Sequence, residues 1–174
     1  MIILYILVAL IVLIVILGMI APNSFSMERS INVNVSQEKA FNALKSLRIQ
    51  SQWSVWGQRD PNQENEYRGT DGEVGAVHFW SGNKDVGEGE QEITALEPNH
   101  LIKTELRFLK PFKATNDAWF KIEELGADSS KVSWGFSGDM KFPMNIMMLF
   151  MNMEKSLGKD FEQGLQNFKA YVEG

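Results

Sequence analysis

The chain divides into a continuous apolar stretch and a longer region in which polar and apolar residues alternate or recur periodically. Residues 2–20 contain no charged side chain, and every charged residue lies from Glu28 onward. As a helix, this stretch would be about 28 Å long, close to the hydrocarbon thickness of a bilayer. A helix bonds its backbone groups internally, as lipid requires, so the pattern predicts a transmembrane helix over residues 1–21.

A cleaved signal peptide is the alternative explanation of the apolar stretch. Signal peptides have a positively charged start, a shorter apolar core and a cleavage site of small residues. Here no Lys or Arg precedes the stretch, and residues 18–22 form a poor cleavage site, so we favour a retained anchor. Arg29 and Lys39 follow the helix, which favours a cytoplasmic location for the rest of the chain.

The region after the apolar stretch predicts a short linker over residues 22–27 and one domain over residues 28–174. Residues 29–35 alternate in the manner of a half-buried strand. Ser36 then predicts a helix N-cap, because apolar residues recur at helical spacing directly after it. A second short helix is predicted over residues 51–56.

Two further patterns complete the domain. Residues 64–139 predict consecutive strands joined by tight turns, which is typical of an antiparallel sheet. From about Asn145 to Val172 the pattern predicts one long helix, whose apolar residues recur at steps of three and four: Ile146, Phe150, Met153, Leu157, Phe161, Leu165, Phe168 and Val172. The stripe must pack on the sheet, so the fold class is α+β.

Several short motifs accompany this order of elements: Ser30-Ile31-Asn32-Val33, Ala40-Phe41, Trp53 with Trp56, Val74-Gly75 to Trp80, Gly87-Glu88-Gly89, Lys131-Val132-Ser133-Trp134 and the run from Phe161 to Lys169. Together they resemble the helix-grip fold of the START and birch-pollen-allergen superfamily (SRPBCC), most closely its polyketide cyclase/dehydrase-like branch. The resemblance covers residues 28–173. It implies a curved antiparallel sheet wrapped around the long C-terminal helix, with a cavity between them for an apolar ligand. It implies no particular reaction, because lipid carriers, hormone receptors, aromatases and cyclases share the fold.

Composition removes several classes of function. The net charge of -5 argues against a nucleic-acid partner, since phosphate binding uses clustered Lys and Arg. With no cysteine and two histidines, no metal site is predicted. The glycines at 87–89 open a strand and lack the third glycine of a dinucleotide fingerprint, so no cofactor is predicted.

Two residues are candidates for acid/base chemistry. His78 shares a strand face with Trp80, and it would serve as an acid/base or polar anchor if that face lined the cavity. We favour the simpler interpretation, a histidine hydrogen-bonded at the sheet surface. Asp117 is the second candidate. The alternating charges at 88–92 and 103–107 predict a solvent face with cross-strand ion pairs.

Large apolar side chains are the candidate ligand-binding residues. Aromatic rings form effective walls for an apolar ligand with one polar end. Six of the nine methionines lie between Met140 and Met153, more than one helical stripe accommodates, so some must face outward. They would form a flexible cavity wall, a patch on the bilayer or a patch for a protein partner. The candidates are Trp53, Trp56, Trp80, Phe108, Trp119, Trp134, Met147, Phe150 and Met151.

Three hypotheses for function follow from the sequence. The first is a membrane-anchored domain that binds an apolar small molecule or lipid. The second is a polyketide cyclase/dehydrase-like enzyme that uses a pocket acid/base, His78 or Asp117. The third is a protein-interaction module that acts on a membrane-protein partner. The first is the one we favour, because the sequence names no catalytic group clearly.

Overall fold

The computed structural model describes residues 1–174, except the side chain of Met153, which lies outside the described residues although the predicted apolar stripe includes it. The helices are α1 (Ile2–Ile20), α2 (Gln37–Lys45), α3 (Leu47–Trp53), α4 (Val55–Arg59), a 3₁₀ segment (Met144–Leu149) and α5 (Met153–Glu173). The strands are β1 (Ser24–Val33), β2 (Glu64–Arg68), β3 (Val77–Ser81), β4 (Glu88–Glu97), β5 (Leu101–Lys110), β6 (Ala114–Gly126) and β7 (Ser129–Asp139).

The seven strands form one antiparallel sheet in the order β1-β7-β6-β5-β4-β3-β2. Consecutive strands from β2 to β7 are neighbours, as expected for a meander of hairpins, and β1 closes the sheet against β7. The curved sheet and the long C-terminal helix confirm the predicted helix-grip architecture.

Short-range capping explains where the first helices of the domain begin. The hydroxyl of Ser36 accepts a hydrogen bond from the backbone N–H of Lys39 at the start of α2, as the sequence predicts. Ser46 does the same for Ile49 at the start of α3. Where one second helix was predicted, the chain forms two, because the backbone of Ser54 is extended and separates α3 from α4.

The prediction of one continuous helix from Asn145 is wrong. The chain forms the 3₁₀ segment first, and α5 begins only after Asn152, whose side chain accepts from the N–H of Lys155 at 3.0 Å. Asn145 is fully buried, and its amide donates to the carbonyl of Gly18 at 2.8 Å and to Asn23 Oδ1 at 2.9 Å. The 3₁₀ segment is therefore tied to the end of α1 and leaves several methionines exposed.

The main core lies between the sheet and the helices α2, α3 and α5. Among its fully buried side chains are Phe120 of β6, Val132 of β7 and Phe168 of α5. These residues come from the apolar positions of the period-2 and helical patterns in the sequence. The core thus fixes α5 across the sheet.

The apolar helix α1 makes little contact with the domain. Its side chains are exposed along most of its length. Gly18 is the one buried residue of this helix, and it contacts Phe142. In the described part of the chain α1 is the one helix long and apolar enough to cross a membrane, a property that N-terminal signal sequences share. Strand β1 begins at Ser24, so it includes residues 24–27 of the predicted linker.

Candidate ligand-binding cavity

A partly open cavity of about 260 Å³ lies between the concave face of the sheet, helices α3 and α4, and α5. The long strands contribute residues from their inward-facing positions, and α5 closes the cavity with Leu157 and Phe161. The volume lies just below the range of about 300–1,000 Å³ that is usual for small-molecule sites. The helix-grip fold therefore encloses a space here for a small ligand.

Aromatic rings form most of the cavity wall. Trp134 of β7 is central, because its ring centroid lies 4.3 Å from Phe161, 5.5 Å from Trp53 and 5.8 Å from Trp56. The Trp53 and Trp56 rings meet Trp134 edge to face, an arrangement that aromatic quadrupoles favour. The cluster holds these rings in fixed positions, so the wall is preformed.

Two glycines allow the tryptophans to take these positions. A Cβ at Gly164 of α5 would lie 2.7 Å from Cζ3 of Trp134. A Cβ at Gly89 of β4 would lie 2.5 Å from Cζ2 of Trp80. Both distances are far below van der Waals contact, so the bare backbone at these positions makes room for the indole rings.

A polar group of residues lies at one end of the cavity, centred on His78. The imidazole Nε2 lies 2.7 Å from Asn65 Oδ1, and the ring stacks on Tyr67 with centroids 4.6 Å apart. The amide of Asn65 donates to the backbone carbonyl of Gln63 at 3.1 Å, which fixes Oδ1 as the atom that faces His78. Since Oδ1 only accepts, Nε2 of His78 carries the proton.

Gln91 lies beside His78 as its direct cross-strand partner on β4. Its amide nitrogen donates to Gln50 Oε1 at 3.2 Å and to Thr104 Oγ1 at 3.3 Å. Gln50 in turn donates to the carbonyl of Leu44 at 2.6 Å, so its Oε1 must be the acceptor. These bonds fix the orientation of the Gln91 amide as well.

The environment of His78 keeps its ring neutral. The pKa of His78 is lowered from 6.5 to about 4, mainly by burial and also by the positive charge of Arg48, while the negative charge of Asp71 partly opposes the change. The side chain is 8% exposed, so the imidazole loses most of its hydration. At neutral pH the cavity therefore contains an uncharged imidazole.

The cavity brings together many of the predicted site residues. Trp53, Trp56, Trp80, Phe108, Trp134 and His78 line it. His78 was expected at the sheet surface, but it is buried on the cavity face because β3 turns that face inward. Its role in catalysis stays a prediction.

The other predicted residues lie elsewhere. Trp119 is on the outer face of β6, where its indole N–H donates to Glu28 Oε2 at 2.7 Å. Asp117 is exposed on that same face, outside the cavity lining. Met147, Phe150 and Met151 lie at or after the 3₁₀ segment and are exposed outside the cavity. The structure does not bring these five residues to the cavity.

Sequence reasoning missed the glutamines of the cavity. Gln50, Gln63 and Gln91 all line it. The position of Gln91 could have been predicted from the sequence, because it lies between Glu90 and Glu92 on β4 and so must face the opposite side of the sheet from those charges. Gln50 and Gln63 lie on a short helix and in a loop, and their local sequences show no such period.

The predicted ion pairs occupy the outer face of the sheet. Arg107 pairs with Glu90 at 3.1 Å, Glu92 at 2.8 Å and Glu105 at 2.6 Å. The hydrogen bonds that Arg107 donates to Glu105 and Glu92 raise the pKa of Arg107, so the guanidinium stays charged. Among the described residues, no group of three His, Cys, Asp or Glu side chains is placed to hold a metal ion.

Exposed apolar side chains gather at the end of the sheet from which α1 departs. The strand register places Ser24 opposite Asp139 at this end, next to the turn between β5 and β6. Phe112 of that turn is 74% exposed, and Phe150 after the 3₁₀ segment is 79% exposed. We call this region, with Phe142, Met144 and Met147, the apolar end of the domain.

Comparison with protein families gives one match over nearly the whole domain. Residues 24–173 match the family described as polyketide cyclase / dehydrase and lipid transport. No curated protein matches the sequence.

Solved structures of other proteins share the fold. Norcoclaurine synthase from Thalictrum flavum, solved in complex with dopamine and hydroxybenzaldehyde, is 11% identical with a TM-score of 0.62, covering 87% of this chain and 90% of that one. A protein from Chromobacterium violaceum is 15% identical with a TM-score of 0.59, covering 88% of this chain and 99% of that one. Ara h 8.0201 is 14% identical with a TM-score of 0.57, covering 86% and 97%. At these identities the likeness shows the fold alone.

Proposed function

The chain belongs to the polyketide cyclase / dehydrase and lipid transport family, and we propose that it binds an apolar small molecule or lipid in the cavity between the sheet and α5. The observation that carries this proposal is the composition of the cavity wall. Four tryptophans and three phenylalanines are among the lining residues, with a small set of oriented polar groups at one end. Such a wall suits an apolar ligand with one polar group.

A variant that fills the cavity tests this proposal. Ala118 of β6 lines the cavity and is buried, so Ala118→Phe places a ring inside it, and Ala118→Leu is a milder version. The neighbouring Asp117→Asn lies on the opposite face and is the matched control. The three full-length chains and the parent are purified in nanodiscs from the same cells, and bound small molecules are extracted and identified by mass spectrometry.

We expect an apolar compound at close to one per chain in the parent and in Asp117→Asn. Ala118→Phe should carry at least about tenfold less, because overpacking excludes the ligand. Near-UV circular dichroism checks that each variant is folded. Equal extracts from all folded chains would overturn the proposal, since the nanodisc lipids alone would then account for them.

We also propose that α1 anchors the domain in a membrane. The bare apolar surface of α1 has little protein to cover it, and the helix enters the domain at the apolar end. Exposed Phe112 lies between Lys110 and Lys113, and exposed Phe142 follows Lys141. Aromatic rings flanked by lysines suit the interface of a bilayer that contains anionic lipid.

The lysines at this end also favour a cytoplasmic location for the domain. They are distant from α1 in sequence but come close to its end in the fold, so they add to Arg29 and Lys39 in the positive-inside tendency. Anionic lipid is concentrated in the cytoplasmic leaflet, which attracts basic residues near its surface.

Two measurements on the membrane fraction test the anchor. A retained anchor predicts that the chain stays in the pellet after a carbonate wash and that its intact mass includes residues 1–21. Release of a shorter chain would identify a signal sequence and contradict the proposal. Protease added to sealed right-side-out vesicles should spare a cytoplasmic domain, whereas digestion would place it on the other side.

An enzyme of the cyclase or dehydrase kind is the second candidate function. His78 favours it, since an imidazole with a fixed tautomer faces the cavity. Its low pKa argues against it, because a general base is most effective when its pKa lies near the working pH. A protein-interaction module is the third candidate, and the exposed methionines of the apolar end are the surface it would use.

A further inference from the structure

The hydrogen bonds at the polar end of the cavity fix which atom of each amide and of the imidazole donates and which accepts. The proton on His78 Nε2 goes to Asn65, and both the Asn65 and Gln50 amides donate to backbone carbonyls. The nitrogen of Gln91 donates to Gln50 and Thr104. Because these chains end at carbonyl groups, which only accept, none of the amides can turn round without losing bonds.

Two acceptor atoms of this polar group have no partner in the described part of the chain. Within the described residues, Nδ1 of His78 and Oε1 of Gln91 accept no hydrogen bond from the protein. The two side chains are direct cross-strand partners on the cavity face, so they lie side by side. Oε1 of Gln63, another lining residue, is buried with no partner in the described part of the chain.

The uncharged lining of the cavity limits which chemical groups of a ligand can bind to this acceptor pair. No Asp, Glu, Lys or Arg is among the described residues that line it. A carboxylate or phosphate would face acceptors, and an ammonium group would be buried without a counter-ion, so either charge would be costly. A neutral hydroxyl donates one hydrogen bond and carries no charge. Nε1 of Trp53, a lining residue, is buried with no partner in the described part of the chain and can donate to the hydroxyl oxygen.

We infer that the ligand is an apolar molecule that carries a hydroxyl group, which donates to the acceptor pair formed by His78 Nδ1 and Gln91 Oε1. This inference rests on the proposed binding function and names the chemical class of its ligand. A neutral imidazole is needed for it, and His78 is neutral at pH 7.

Three naphthalene derivatives of similar size test the inference. 2-Naphthol has a donor, 2-methoxynaphthalene has the same oxygen without a donor, and 2-naphthoate has a charged acceptor. Each is titrated by calorimetry into the full-length chain in nanodiscs at pH 7, with empty nanodiscs subtracted. We expect 2-naphthol to bind about tenfold more tightly than 2-methoxynaphthalene, the effect of about one hydrogen bond, and 2-naphthoate to bind most weakly.

Variants of the acceptor pair complete the test. His78→Phe and Gln91→Met should each bind both neutral compounds but lose most of the preference for 2-naphthol, whereas Asp117→Asn on the outer face should keep it. Equal affinity of the parent for all three compounds, or tighter binding of 2-naphthoate, would overturn the inference and leave the binding function standing. If none of the three binds saturably, the proposed function fails with it.

Discussion

The neutral imidazole of His78 makes the stability of the domain depend on pH in a defined way. In the unfolded chain a histidine takes up a proton near pH 6.5, whereas the folded chain resists protonation of His78 down to about pH 4. The stabilising contribution is therefore fully present above pH 6.5 and is lost as the pH falls from 6.5 towards 4. Well below pH 4 both states bind the proton, so no further loss comes from this residue.

The size of the effect follows from the separation of the two pKa values. At pH 4.5 the unfolded state binds its proton almost completely and the folded state only in part. The loss relative to pH 7.5 is about 2.5 kcal/mol. With a urea slope of about 2 kcal/mol per molar, the midpoint of unfolding should fall by about 1 M.

Urea unfolding of the full-length chain in nanodiscs, followed by tryptophan fluorescence, measures this loss. His78→Gln is the matched variant, because its side chain is neutral at every pH. Carboxylates also titrate in this range: burial raises the pKa of Glu90, but hydrogen bonds from Arg107 and Arg68 lower it overall. Such groups are present in both chains, so they cancel in the difference. Parallel loss of stability in the parent and the variant would refute the reasoning.

Two further predictions concern packing. Gly164→Ala should destabilise the domain by about 1–3 kcal/mol, because the new methyl group would meet the Trp134 ring, although alanine has the better helix propensity. In the same urea assay Gly158→Ala should be neutral or stabilising, because there the methyl group meets only the flexible end of Arg29. Asn145→Ala should lower the local stability of the 3₁₀ segment by about 1–3 kcal/mol, because it leaves the carbonyl of Gly18 unpaired. Amide hydrogen exchange in residues 140–152 should then accelerate, and unchanged exchange would show that this contact does not hold the segment.

Much of the fold was predictable because its signals are local. The alternation in residues 29–35 and the turns between strands 64–139 fix the strands, and Ser36 fixes the start of a helix. The break before α5 was not predictable in this way. The apolar spacing continues through residues 145–152 and predicts a helix there. Asn145, however, donates a hydrogen bond to the end of α1, more than 100 residues away in sequence, and this tertiary contact overrides the local helical preference.

The site was predictable where burial follows strand alternation, and less so where it depends on three-dimensional position. Trp80 and Trp134 lie on inward-facing positions of their strands, and both line the cavity. Trp119 directly follows the inward-facing Ala118 on β6. Because successive side chains of a strand point to opposite faces, the position of Trp119 on the outer face follows once β6 is assigned. Aromatic character alone suggested it as a ligand contact. The role of Gln50 depends on a tertiary contact with Gln91, for which a single sequence carries no signal.

The strand register sets the direction in which a hydroxyl-bearing ligand would lie. Lys110 stands at the apolar end of the sheet, the aromatic pair Trp80 and Phe108 comes next, and His78 with Gln91 lies two residues, or about 7 Å, farther in. A ligand with its hydroxyl on the acceptor pair would thus point its apolar body back towards the apolar end of the domain, where α1 joins it. An alcohol in a bilayer keeps its hydroxyl at the surface. If α1 anchors the domain as proposed and the cavity opens at this end, an alcohol would enter the cavity hydroxyl first and its apolar part would leave the lipid last, which limits the apolar area exposed to water during transfer.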